Sequence, residues 1–109
     1  MFEAHILASG SDGNCTVIES DGEAVMIDAG LSCRKILKLM EREGIDSGSV
    51  KAILLTHEHS DHVSGAGATA RKLDIPIYCN VPTFLSCNLG QVDFRPISTG
   101  VEFGISQMN

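Results

Sequence analysis

One stretch constrains this chain more than any other: Thr56-His57-Glu58-His59-Ser60-Asp61-His62, entered directly from the apolar run Val50-Lys51-Ala52-Ile53-Leu54-Leu55. Three of the four histidines lie between positions 57 and 62. A segment so polar suits neither a core strand nor an ordinary amphipathic helix. In an extended backbone, residues i and i+2 point to one side, so His57 and His59 project together and their rings can converge on one cation. Asp61 and His62 come after a turn and reach a second position close by. Imidazole and carboxylate suit Zn²⁺, Mn²⁺ or Fe²⁺. The cluster holds no thiolate, which argues against a structural zinc finger. Glu58 and Ser60 face the opposite way and are not counted as ligands. A mononuclear site takes three protein ligands and a water, and paired sites about 3.5–4 Å apart share a bridging hydroxide. Four donors in one segment do not complete two sites, so further ligands must come from elsewhere in the fold.

Around this stretch the pattern is that of a mixed α/β (α+β) layer. Residues 2–8, 15–19 and 23–28 read as strands, the last two joined by Asp21-Gly22, a hairpin signal. Residues 9–14 are a turn-rich loop. Ser32 caps a helix to about Glu43, whose Ile36, Leu37, Leu39 and Met40 form an apolar stripe ended by Gly44. Strand 50–55 reads as buried on both faces. A helix over 65–73, a strand over 76–79, a helix from Pro82 and weak strands over 93–98 and 101–106 follow. An antiparallel opening hairpin thus leads into βα units, with helices on one face of the sheet. Residues 101–109 end inside a strand-like run, so the 109 residues read as the truncated N-terminal part of a single longer domain.

Composition narrows the partners. The formal net charge is −6, so a whole-surface attraction to nucleic acid or anionic lipid is not expected; an anionic substrate needs a local positive centre such as a metal. No run is long and apolar enough to span a membrane, and no export signal opens the chain. The four cysteines (Cys15, Cys33, Cys79 and Cys87) contain no C-x-x-C pair and read as reduced thiols, so a cytoplasmic protein is expected. His5 reads as strand packing. Arg71 and Lys72 read as helix-ending cations on a solvated face, and Arg34, Lys35 and Lys38 as another solvated face.

The pattern His57-x-His59-x-Asp61-His62 after an apolar strand and Thr56 resembles the metal motif of the metallo-β-lactamase fold hydrolases. Leu7-Ala8-Ser9-Gly10-Ser11-Asp12-Gly13-Asn14-Cys15, Met26 to Ser32, Ile53 to His57 and Ala70 to Tyr78 extend the resemblance over nearly the whole chain. They are similar to the YycJ/WalJ-type branch, bacterial cytoplasmic enzymes described as DNA exonucleases working from the 5′ end. The resemblance implies the N-terminal half of an αββα sandwich with two divalent metal ions, Zn or Mn, at one edge. It places His57 and His59 on one metal and Asp61 and His62 on the other. Asp28 would sit behind the metal loop and orient a ligand histidine, with Thr56 beside it. The third ligands are carried by later segments in that family, and no histidine follows His62 here.

For the complete enzyme the resemblance implies phosphodiester hydrolysis by a metal-activated hydroxide, with Asp61 able to exchange a proton beside the metal. The loop of Ser9, Gly10, Ser11, Gly13 and Asn14 can offer backbone N–H groups to a phosphate, or can simply be a tight turn. Nucleic acid is the expected substrate. The same donors also serve a small-molecule hydrolase acting on a thioester or lactone, and the chain alone can be a non-catalytic metal-binding fragment.

Overall fold

The computed structural model describes residues 2–57 and 59–97. Strands β1 (Phe2–Ala8), β2 (Cys15–Ser20) and β3 (Glu23–Ile27) form an antiparallel meander. The β2–β3 connection is a two-residue hairpin: Ser20 pairs with Glu23, and Asp21 and Gly22 both take positive φ (53° and 81°). That is the conformation an Asp-Gly turn supplies and one that matches the right-handed twist of its strands.

From β3 the sheet continues in parallel through β4 (Val50–Leu54), β5 (Ile77–Cys79) and β6 (Phe94–Pro96), giving one six-stranded sheet in sequential order. The crossovers carry α1 (Cys33–Arg42), the short α2 (Ser60–Val63), α3 (Ala66–Leu73) and α4 (Val81–Ser86), with a 3-10 turn at Ser47–Ser49 before β4. Caps set the helix starts: Ser32 accepts from Lys35 N on α1, and Asn80 accepts from Thr83 N on α4, with Pro82 in its first turn.

Alternation along the strands divides the sheet into two faces. One face is packed beneath α1 and α3, where Val17, Met26, Ile36, Met40, Ile53 and Ile77 are fully buried. The other carries a small cluster of Val25 and Ala52 with Ile27, Leu54 and Tyr78, and leaves Phe2 and Ile6 exposed at 66 % and 70 %.

The elements match the sequence reading closely, with three differences. Strand β3 stops at Ile27 because Asp28 turns into the left-handed region (φ 63°). The polar stretch, expected as extended chain and turn, contains one helical turn carrying Asp61 and His62. Arg71, exposed as expected, is also tied down: Nη1 donates to the carbonyls of Leu89 (2.6 Å) and Gln91 (3.3 Å) and clamps the loop before β6. The strand expected over 101–106 lies outside the described residues. Among those described, no helix is long and apolar enough to cross a membrane.

Candidate metal centre

The polar stretch sits at the carboxyl ends of β3 and β4, the edge where open α/β sheets bind ligands. Its foundation is Asp28. An L-residue at positive φ costs about 1–2 kcal/mol, and here it is held by the bond from Asp28 N to Leu54 O (2.8 Å). Only 6 % of Asp28 is exposed, and a carboxylate so buried must be paired. Asp28 Oδ1 accepts from Thr56 N at 2.8 Å, and Oδ2 accepts from Thr56 Oγ1 at 2.7 Å. Oδ2 also meets His62 Nδ1 at 2.7 Å.

Donor accounting fixes the histidine tautomers. Thr56 Oγ1 has one proton, and a carboxylate can only accept, so that proton points to Asp28. The 2.8 Å contact between Thr56 Oγ1 and His57 Nδ1 must then be donated by His57. His62 Nδ1 likewise donates to Asp28. Both imidazoles therefore carry their proton on Nδ1 and, when neutral, leave the Nε2 lone pair bare. One carboxylate, with one hydroxyl between, orients two rings.

Those rings converge. The His57 and His62 centroids lie 4.6 Å apart, and His59 stacks on His57 at 6.2 Å with an interplanar angle of 22°. Ligand atoms of Asp28, His57 and His62 come within 4.8 Å of one another. Asp61 Oδ2 is 3.7 Å from His62 Nε2. His59 is beside His57, outside that tightest group.

Asp61 is held from below by Asn14. The Asn14 amide donates to Asp61 Oδ2 and to Asp61 O, each at 3.1 Å, and Asn14 N donates to Asp61 O at 2.7 Å. Loop 9–14 thus turns much of its polarity inward. Gly10 N goes to Asn14 Oδ1 and Gly13 N to Gly10 O, while Ser9, Gly10 and Ser11 are exposed.

Two glycines that sequence reasoning passed over seat the stretch against β3. A Cβ on Gly30 would lie 1.8 Å from Asp61 O, and one on Gly65 would lie 1.6 Å from Leu31 O. Ala29 N donates to His62 O and Gly65 N to Ala29 O, each at 2.8 Å. Their sequence signal was weak, since each reads as an ordinary turn glycine.

Beneath the site, burial pushes the Cys15 thiol up to about 12, with a smaller contribution from Asp28, so it is neutral at physiological pH and is no thiolate ligand. All four cysteines are free. The remaining histidine lies elsewhere: His5 Nε2 is 2.7 Å from Glu19 Oε1, at ion-pair distance but off the direction of a hydrogen bond.

The donor set is therefore three imidazoles and a carboxylate at one sheet edge, two of the rings already turned to present Nε2. That chemistry fits a divalent cation of the Zn²⁺ or Mn²⁺ type.

Comparison with known proteins gives the family. Residues 8–98 match the metallo-beta-lactamase superfamily. An exodeoxyribonuclease YycJ from Bacillus anthracis is 43 % identical over 79 residues, covering 72 % of this chain and 30 % of the relative. An exodeoxyribonuclease WalJ from Streptococcus pneumoniae is 42 % identical over 96 residues, covering 84 % and 36 %. This chain thus spans about a third of the length of the curated relatives it matches. In fold it is similar to a B3 metallo-β-lactamase with an active-site glutamic acid, at a TM-score of 0.79 and 20 % identity over 95 % of this chain and 46 % of that one. The buried Asp28, the oriented histidines and the match along most of the chain lead to one conclusion: this chain belongs to the metallo-β-lactamase superfamily.

Proposed function

We propose that this chain carries the cation-binding edge of a binuclear hydrolase that cleaves phosphodiester bonds in DNA, or in RNA. The observation that carries the reading is the Asp28 network, which bares Nε2 on both His57 and His62. His57 and His59 would hold one cation and Asp61 and His62 the other, Zn²⁺ or Mn²⁺, with further ligands from outside the described residues. When bound, such cations lower the pKa of water toward neutrality and stabilise charge on phosphate oxygens.

The chain's own residues do the positioning. Asp28 keeps the proton on Nδ1 of His62 and, through the Thr56 hydroxyl, on Nδ1 of His57. Asn14 fixes Asp61, whose free carboxylate capacity lets it accept a proton beside the reacting phosphate. Ser9 and Ser11, exposed in the neighbouring loop, would meet substrate.

The nucleic-acid substrate is supported by the similarity to two proteins named exodeoxyribonucleases. On this reading residues 1–109 are the N-terminal part of one longer metallo-β-lactamase domain working in the cytoplasm. The test sets 5′-labelled duplex DNA against a thioester, using the protein that contains this stretch, loaded with Zn²⁺ or Mn²⁺. Shortened DNA with an intact thioester is the expected result. Thioester hydrolysis with intact DNA overturns the substrate assignment in favour of a small-molecule hydrolase.

A further inference from the structure

Half of the chain's basic residues lie on one helix. Of eight Lys and Arg, Arg34, Lys35, Lys38 and Arg42 are on α1, in a chain whose net charge is −6. All four are exposed, and none forms an ion pair among the described residues. Arg34, Lys38 and Arg42 are spaced i, i+4, i+8, which places them on a single stripe. The opposite side of α1 is the buried one, with Ile36 and Met40 against the sheet.

The stripe starts beside the metal edge. Gly30, two residues before the Ser32 cap, is packed against the Asp61 carbonyl. From there Arg34 to Arg42 runs about 12 Å along the helix axis, at about 1.5 Å per residue. The first turn holds Arg34 and Lys35 and no acidic residue. Cations at that end oppose the helix dipole, so the local helix does not account for them.

We infer that Arg34, Lys38 and Arg42 form a track for the phosphate backbone of a nucleic-acid strand passing over α1 from the metal edge. The inference rests on the nuclease reading above and adds where the substrate lies beyond the reacting bond. At the about 3.4 Å per nucleotide of a strand in a B-form duplex, 12 Å accommodates about three to four phosphates, and a more extended single strand fewer. Lys35 flanks the track. The surrounding negative charge makes this helix a local exception, so contacts here select the path of a strand that the rest of the surface repels.

The experiment measures binding of a 5′-labelled single-stranded DNA by fluorescence anisotropy, without divalent metal so that the strand stays intact. Wild type is compared with R34Q/K38Q/R42Q between 50 and 200 mM NaCl. Each lost phosphate contact removes about 0.7 from the log–log salt slope, so three make wild-type affinity fall about 20-fold more than the variant's over that range. The charge-keeping variant R34K/K38R/R42K should retain the wild-type slope, and its failure to do so overturns the track. Equal slopes for wild type and the Gln variant also overturn it. If wild type still shortens DNA when metal is added, the nuclease reading survives that result. A wild type that binds Zn²⁺ but neither binds nor cleaves DNA sinks the nucleic-acid reading and the track together.

Discussion

At the residue scale the weight falls on Asp28. It accepts three hydrogen bonds while 6 % exposed, and two of them set how histidines face the cation position. Replacing Asp28 by Ala leaves Thr56 N and His62 Nδ1 unpaired and lets the rings turn. Supporting partners of this kind are worth about 10–100-fold in metal affinity, so calorimetric Zn²⁺ titration should show a loss of that size. Stability should fall by about 1–3 kcal/mol in urea unfolding, the penalty for orphaned buried donors. His59→Ala, which removes a proposed ligand, should weaken metal binding at least as much with less loss of stability. Unchanged metal affinity would show that His59 is not a ligand.

Cys15 gives a second prediction at this scale. Its folded pKa is raised to about 12 from an ordinary 9.0, chiefly by burial. A folded pKa above the unfolded one means that stability is complete below pH 9 and is lost as pH rises toward 12. Cys79, raised to about 11 by burial and then by Cys87, acts in the same direction. The urea midpoint should therefore fall between pH 9 and 11. Cys15→Ala should flatten that fall, although it lowers stability at neutral pH by emptying a packed position. A midpoint that stays level through this range in wild type would contradict the assignment.

At the element scale, the loops between elements are held by backbone contact as much as by side chains. Gly30 and Gly65 let the turn after β3 lie directly on the metal stretch. Gly30→Ala puts a methyl group 1.8 Å from Asp61 O, so that backbone must move. The overpacking should lower stability by about 1–3 kcal/mol or more, and the displaced Asp61 should weaken metal binding in the same titration. A variant with wild-type melting and metal affinity would mean that the two loops are not in contact.

Much of this was readable beforehand, for a physical reason. The strands up to residue 98, the Asp21-Gly22 hairpin and the Ser32-capped helix are local patterns, and among the described residues each lies within a residue or two of its expected place. The His-rich motif was visible because four donors crowd into six positions. What the sequence could not show were contacts between distant segments. Asn14 reaches Asp61 across 47 residues, and the close approach of Gly30 depends on where two loops meet. The helical turn at Ser60–Val63 was hidden because four residues are too few to show a period.

At the scale of the whole molecule, one sheet serves two purposes. Its helix-covered face supplies the core, and the carboxyl ends of β3 and β4 supply the site. The site stands at an edge, so its side chains can be oriented by a buried network below while remaining open to a large substrate above. This places the account's central claim in the tautomers of two rings, because with Nδ1 of each tied to the Asp28 network, His57 can hold its proposed cation, and His62 the other, only through a bare Nε2. Long-range ¹H–¹⁵N correlation spectra of the histidines, recorded during a Zn²⁺ titration, read that directly. The account predicts Nδ1–H tautomers for His57 and His62, with Nε2 of both shifting on metal addition and His5 unmoved. Nε2–H tautomers at those two positions, or shifts confined to His5, would contradict it.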